Sequence, residues 1–94
     1  MSKSLMSKNK ECFVCKTTFG LHRHHVYGNS NRNNSERYGC WVYLCGIHHN
    51  LSNQGVHFNR FLDLWIKEEC QRRWESGGRT REEFLKIFGR QYLD

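Results

Sequence analysis

Ninety-four residues read as one small domain, with no room for a second catalytic lobe or a large substrate-binding half. Only 37% of the chain is hydrophobic and the mean hydropathy is −0.83, so the core is expected to be thin and to need a staple, since a domain of this size hides only roughly 60–70% of its unfolded surface. Fifteen Lys and Arg against nine Asp and Glu leave a net charge of +6, and all of that excess falls in residues 1–60, which favours a polyanionic partner such as nucleic acid and argues against a small-molecule enzyme.

No stretch approaches the roughly 18 apolar residues of a membrane span, and residues 1–10 are polar and Lys-rich with no apolar signal region. A cytoplasmic protein that does not touch membranes is therefore expected. Five cysteines, an odd number, point away from a disulfide framework and towards thiolate chemistry such as metal binding.

In chain order, residues 1–10 predict a flexible basic arm, too poor in apolar residues to repay its ordering. Cys12-Phe13-Val14-Cys15 predicts a tight knuckle. Residues 21–27 carry the β-branched and aromatic character of a short strand. The segment GNSNRNNSERYG, residues 28–39, has no aliphatic residue and reads as a long polar loop. Residues 40–45, bounded by Gly39 and Gly46, predict a second strand with Trp41 and Tyr43 in the core. Residues 46–53 predict a short helix closed by an Asn53-Gln54-Gly55 turn.

From about residue 58 to 75, Phe58, Phe61, Leu62, Trp65, Ile66, Cys70 and Trp74 recur at spacings of three and four, the apolar stripe of an amphipathic helix. Asp63 with Lys67, Glu68 with Arg72 and Glu69 with Arg73 predict i,i+4 ion pairs on its outer face. Gly77-Gly78 stops that helix, and Thr80-Arg81-Glu82-Glu83 is a capping box that opens another, ending at Gly89.

The strongest chemical signal is Cys12-x2-Cys15 together with Cys45-x2-His48, three thiolates and one imidazole at the spacing of a structural Zn2+ site. Four protein ligands fill a tetrahedral ion and leave no position for chemistry. Cys40 and Cys70 lie outside the spacing and read as packed thiols, with Cys40 an alternative fourth ligand. His24, His25, His49 and His57 remain, with His22 as a spare. Beside a basic, Asn-rich segment, such histidines can bind a divalent cation and deprotonate a water, which suits phosphodiester cleavage.

The CxxC knuckle, the Arg23-His24-His25-Val26 strand end and Leu44-Cys45-Gly46-Ile47-His48-His49 together resemble the HNH endonucleases of the His-Me finger superfamily in their zinc-knuckle form. The wording HHVYGNSNR, LCGIHHN and GVHFN is similar to the small stand-alone HNH proteins of bacteriophages and prophages. The resemblance covers residues 12–59 and implies an α+β fold: a zinc-stabilised ββα-metal core over residues 11–57, with residues 58–94 a helical C-terminal extension of the same domain. It implies that His25 is the general base, its other nitrogen held by a backbone carbonyl. It also implies that His24 and His49 hold a catalytic divalent metal, Mg2+, Mn2+ or Ni2+, with His57 or Asn53 completing the set. The middle Asn of the family motif falls on Cys40, so Asn33, Asn34 or Asn53 is expected to brace the loop instead.

Arg23, Arg32, Arg37 and Arg60 are candidate phosphate contacts. No recognition helix is evident, so sequence preference is expected to be weak. The implied activity is DNA hydrolysis in a bacterial host cytoplasm, in phage packaging or recombination. Two other readings stand beside it: a non-catalytic zinc-stabilised nucleic-acid-binding module, and an accessory partner of a phage DNA-processing machine that docks through Trp65 and Trp74.

Overall fold

Two five-residue strands organise the molecule, whose computed structural model describes residues 3–50 and 55–93. β1 (Leu21–His25) and β2 (Trp41–Cys45) pair antiparallel, Leu21 opposite Cys45 and His25 opposite Trp41. Side chains alternate across a strand, so His22 and His24 share one face of β1 while Arg23 and His25 share the other. β2 is apolar almost throughout because Trp41, Val42, Leu44 and Cys45 are all buried. Four helices complete an α+β fold: α1 (Arg32–Tyr38), α2 (Gly46–His49), α3 (Arg60–Ser76) and α4 (Arg81–Phe88). Among the described residues, no helix is long and apolar enough to cross a membrane.

The segment between the strands is not the expected polar loop. A 3-10 turn at Asn29–Asn31 leads into α1, and Gly39 ends that helix in the left-handed conformation at φ 77°. α1 packs on the core through Tyr38, against Trp74 and Phe88, and hydrogen bonds hold the rest of it. Asn31 and Asn34 donate to the carbonyls of Phe88 and Ile87 at 3.0 and 3.1 Å, which fastens α1 to the end of α4. Buried Ser35 accepts from the Tyr27 amide at 3.1 Å and donates to the Tyr27 carbonyl at 2.7 Å. Bracing of the strand end thus falls to Ser35, with Asn34 turned to α4 instead. Asn53 lies outside the described residues.

Residues 3–10, expected as a flexible arm, run along the edge of the sheet. The Leu5 amide donates to Gly39 at 2.8 Å, the Ser4 hydroxyl bonds the Trp41 carbonyl, and the Tyr43 amide donates to Ser7 Oγ at 3.4 Å. Met6 is buried, and Arg73 donates to its carbonyl at 2.9 Å. One backbone pair, two serine hydroxyls and Arg73 supply what apolar content does not. A Cβ on Gly39 would meet the Lys3 carbonyl at 2.2 Å, so only glycine lets the arm lie this close.

α3 begins later than its stripe suggests, capped by Asn59, whose side chain accepts from the Leu62 amide at 3.1 Å. Its core face is Ile66, Cys70, Gln71 and Trp74, packed with Tyr27, Phe84 and Phe88. The first turn overhangs this cluster, so Phe58, Phe61 and Trp65 are 66%, 87% and 44% exposed rather than core. Trp74 is buried and its indole N–H donates to the Thr80 carbonyl at 3.0 Å, which removes it as a docking residue. Of the expected ion pairs Asp63–Lys67 forms at 2.8 Å. Glu69 pairs with Arg72 instead, at 2.7 Å, because Arg73 turns to the arm. α4 has its capping box, Thr80 with Glu83, and its Gly89 cap.

Candidate metal centres

Cys12, Cys15, Cys45 and His48 come together at the end of β2. The Phe13 amide donates to the Tyr43 carbonyl at 2.8 Å, and the Cys12–Thr17 turn closes through Cys12 N–H to Thr17 at 2.8 Å, which sets the knuckle beside the strand. Cys45 ends β2 and His48 follows one helical turn later in α2. The four ligand atoms lie within 4.8 Å of one another. Cys15 Sγ is 3.7 Å from Cys45 Sγ, and His48 Nδ1 is 3.8 Å from Cys12 Sγ and 3.2 Å from Cys45 Sγ. Metal–sulfur bonds of about 2.3 Å give a tetrahedron edges of about 3.8 Å, so these separations suit one central ion. Burial pushes the Cys12 thiol up, but amide hydrogen bonds from Cys15, Cys45 and Val14 outweigh it and hold the thiol at about 6, favouring the ligating thiolate.

Cys40 is no part of this group. It is fully buried beside Cys70, and a hydrogen bond to Cys70, reinforced by burial, raises its thiol far above the usual range. Both are packed in the core.

His24, His49 and His57 form a second group whose ligand atoms also lie within 4.8 Å. His24 projects from β1. His49 follows His48 on α2 and turns to the opposite side. His57 is delivered by two backbone bonds, Val56 N–H to His48 at 2.8 Å and His57 N–H to His49 at 3.3 Å. His57 Nε2 and His49 Nε2 stand 3.1 Å apart, close to the roughly 3.0 Å edge of an octahedral ion with bonds of about 2.1 Å. His24 Nε2 is buried and has no hydrogen-bond partner among the described residues, a costly state for a polar atom unless something else engages it. Burial, helped by His49 and His57, lowers the His24 imidazole to about 3, and burial lowers His49 as well. Neutral rings with lone pairs turned to a common point can hold a metal ion.

His22 stands outside the trio. Its Nδ1 is 3.0 Å from His49 Nδ1, on the far side of the ring from His57. A His49 ring that turns its Nε2 lone pair to the cluster carries its proton on Nδ1, within reach of His22, the arrangement by which outer partners fix metal-bound histidines.

His25 ends β1 and faces the same cleft, about 510 Å³ in volume and also lined by Arg23, Arg32, Asp63 and Lys67. Its Nε2 lies 3.1 Å from Glu36 Oε1, so a carboxylate on α1 takes the place of the expected backbone carbonyl. Arg23 Nη1 lies 2.9 Å from both Glu36 oxygens. The hydrogen bond from His25, then that from Arg23, holds the Glu36 carboxyl below its usual range. With Nε2–H donated to Glu36, His25 Nδ1 carries the lone pair. Arg37 and Arg60 are exposed and do not line the cleft. Sequence reasoning missed Glu36, Ser35 and Lys67. The signal for Glu36 was its isolation, one carboxylate within a strongly basic stretch.

No protein-family model, curated protein or solved structure matches the chain.

Proposed function

We propose that the protein is a metal-dependent DNA endonuclease of the HNH type, built on a ββα-metal core in which β1, β2 and α2 hold both centres. The observation that carries this reading is the convergence of His24, His49 and His57 with the separately oriented His25 in one cleft. The Cys12–Cys15–Cys45–His48 group is read as a structural Zn2+ site, since three thiolates and one imidazole suit that ion and leave it closed.

His24, His49 and His57 would hold the catalytic cation, Mg2+, Mn2+ or Ni2+, which would supply Lewis-acid charge to the phosphodiester. His25 Nδ1 takes the proton from a water attacking the phosphorus, while Glu36 holds the ring by its Nε2–H and stabilises the imidazolium that forms. Arg23, Arg32 and Lys67 face the cleft with positive charge for the phosphates. A 5′-phosphate and a 3′-hydroxyl result. With no helix set to read base edges, cleavage is weakly sequence-specific, and the host-cell setting is that of a phage packaging or recombination nuclease. Exposed Phe58, Phe61 and Trp65 support a companion role as a docking subunit of such a machine.

The test is nicking of supercoiled plasmid with Mg2+, Mn2+ or Ni2+ by the wild type and by His25→Ala. Cleavage that disappears in the variant while DNA binding persists supports the nuclease. Binding without cleavage under every cation overturns it in favour of a zinc-stabilised binding module.

A further inference from the structure

A second trough, about 580 Å³, lies on the outer side of β2 and is lined by Lys3, Lys8, Lys10, Arg23, Trp41 and Tyr43 together with Ser4, Ser7 and Asn9. None of the residues lining it is acidic. Arg23 borders both this trough and the histidine cleft, so the two meet at that side chain. The guanidinium at the junction is held by Glu36 on one side and lies 3.8 Å above the Trp41 ring on the other.

The lysines of this trough are carried on ordered backbone. Leu5 and Ser4 are bonded to Gly39 and Trp41, Ser7 receives the Tyr43 amide, and Met6 sits in the core between them. Lys3, Lys8 and Lys10 themselves are exposed. Cations carried on a fastened segment lose less freedom on binding a polyanion than those on a free tail, and each one that meets a phosphate releases condensed counterions. The partner that matches a trough lined by four cations and no carboxylate, beside a phosphodiester-cleaving cleft, is the backbone that runs on from the cleaved bond.

We infer that this trough binds the sugar–phosphate backbone of DNA flanking the scissile phosphate, with Lys3, Lys8 and Lys10 each meeting a phosphate and Arg23 marking the junction with the cleft. The direction of the path rests on the nuclease reading; the binding surface itself does not.

The test uses zinc-loaded, full-length His25→Ala protein without added divalent cation, and a short fluorescein-labelled DNA duplex read by anisotropy over a range of salt. In that background, Lys3→Gln with Lys8→Gln and Lys10→Gln is compared with a charge-matched control, Arg72→Gln with Lys86→Gln and Arg90→Gln. Three lost phosphate contacts reduce the slope of log affinity against log salt by about 2.7. That fall is expected in the arm variant, and a much smaller one in the control, with unchanged thermal melting in both. An unchanged slope in the arm variant, or an equal fall in the control, overturns the proposal. Arm-dependent binding in a protein that cleaves under no cation leaves the trough standing and removes the nuclease. Cleavage with arm-independent affinity does the reverse.

Discussion

The two metal-capable groups sit back to back on α2, His48 serving one and His49 the other, yet they are built on opposite principles. The cysteine group has four ligand-capable residues at separations that suit a tetrahedron, donated by one turn, one strand end and the start of α2. The imidazole group has three, gathered from a strand, a helix and a distant backbone return, and it opens on a cleft. Four soft ligands satisfy an ion and fasten the chain. Three imidazoles leave coordination positions for a phosphate and water. On the proposed reading, adjacent residues on one helix divide stability from chemistry.

The largest expected effect tests the first half of that division. Cys45→Ser removes a thiolate from a group whose ion supplies roughly 10–16 kcal/mol in small metal modules. The cooperative thermal transition, followed by circular dichroism, should vanish together with bound zinc; a variant that melts like the wild type would show the core standing without the staple. Next comes His25→Ala, expected to slow plasmid nicking by about 10²–10⁴-fold with zinc content and melting unchanged. Equal loss of stability and activity would mean that the cleft is not separable from the fold.

Glu36→Gln is the finer probe. Carboxylate partners that orient imidazoles are worth roughly 10–100-fold, so nicking should slow by that amount while DNA affinity stays near wild type. If only affinity falls, Glu36 acts on Arg23 and not on His25. The smallest effect lies away from both centres. Glu75 accepts from Arg81 at 3.1 Å, and that bond holds its carboxyl below the ordinary value. The stabilisation is therefore present above the ordinary carboxylate range and is lost as pH falls through the lowered value. Glu75→Gln should cost less than about 1 kcal/mol at neutral pH, with the melting difference closing in acid and nicking untouched.

Much of the knuckle and the strand pair was legible because both write themselves in local sequence: two-residue ligand spacings, and β-rich runs between glycines. The capping box of α4 was local in the same way. α1 was not legible, since Asn31, Asn34 and Ser35 hold it by hydrogen bonds to Phe88, Ile87 and Tyr27 and leave no apolar periodicity. The arm is held by one backbone pair, the Ser4 and Ser7 hydroxyls and the reach of Arg73, none of which leaves an apolar pattern in residues 3–10. The exposed start of α3 shows the converse limit, because a stripe of the right spacing says nothing about how far the opposing layer extends. His25 and Glu36 are eleven residues apart in sequence, and only the return of α1 onto β1 makes them neighbours.

Gly55 is buried, and a Cβ there would come within 2.7 Å of the His49 carbonyl oxygen. One missing methyl group thus lets the chain double back tightly enough to hand over the third imidazole. Gly55→Ala is expected to act as a wedge, prying His57 from its neighbours without altering a ligand-capable atom while the cysteine group on the far side of α2 keeps its place.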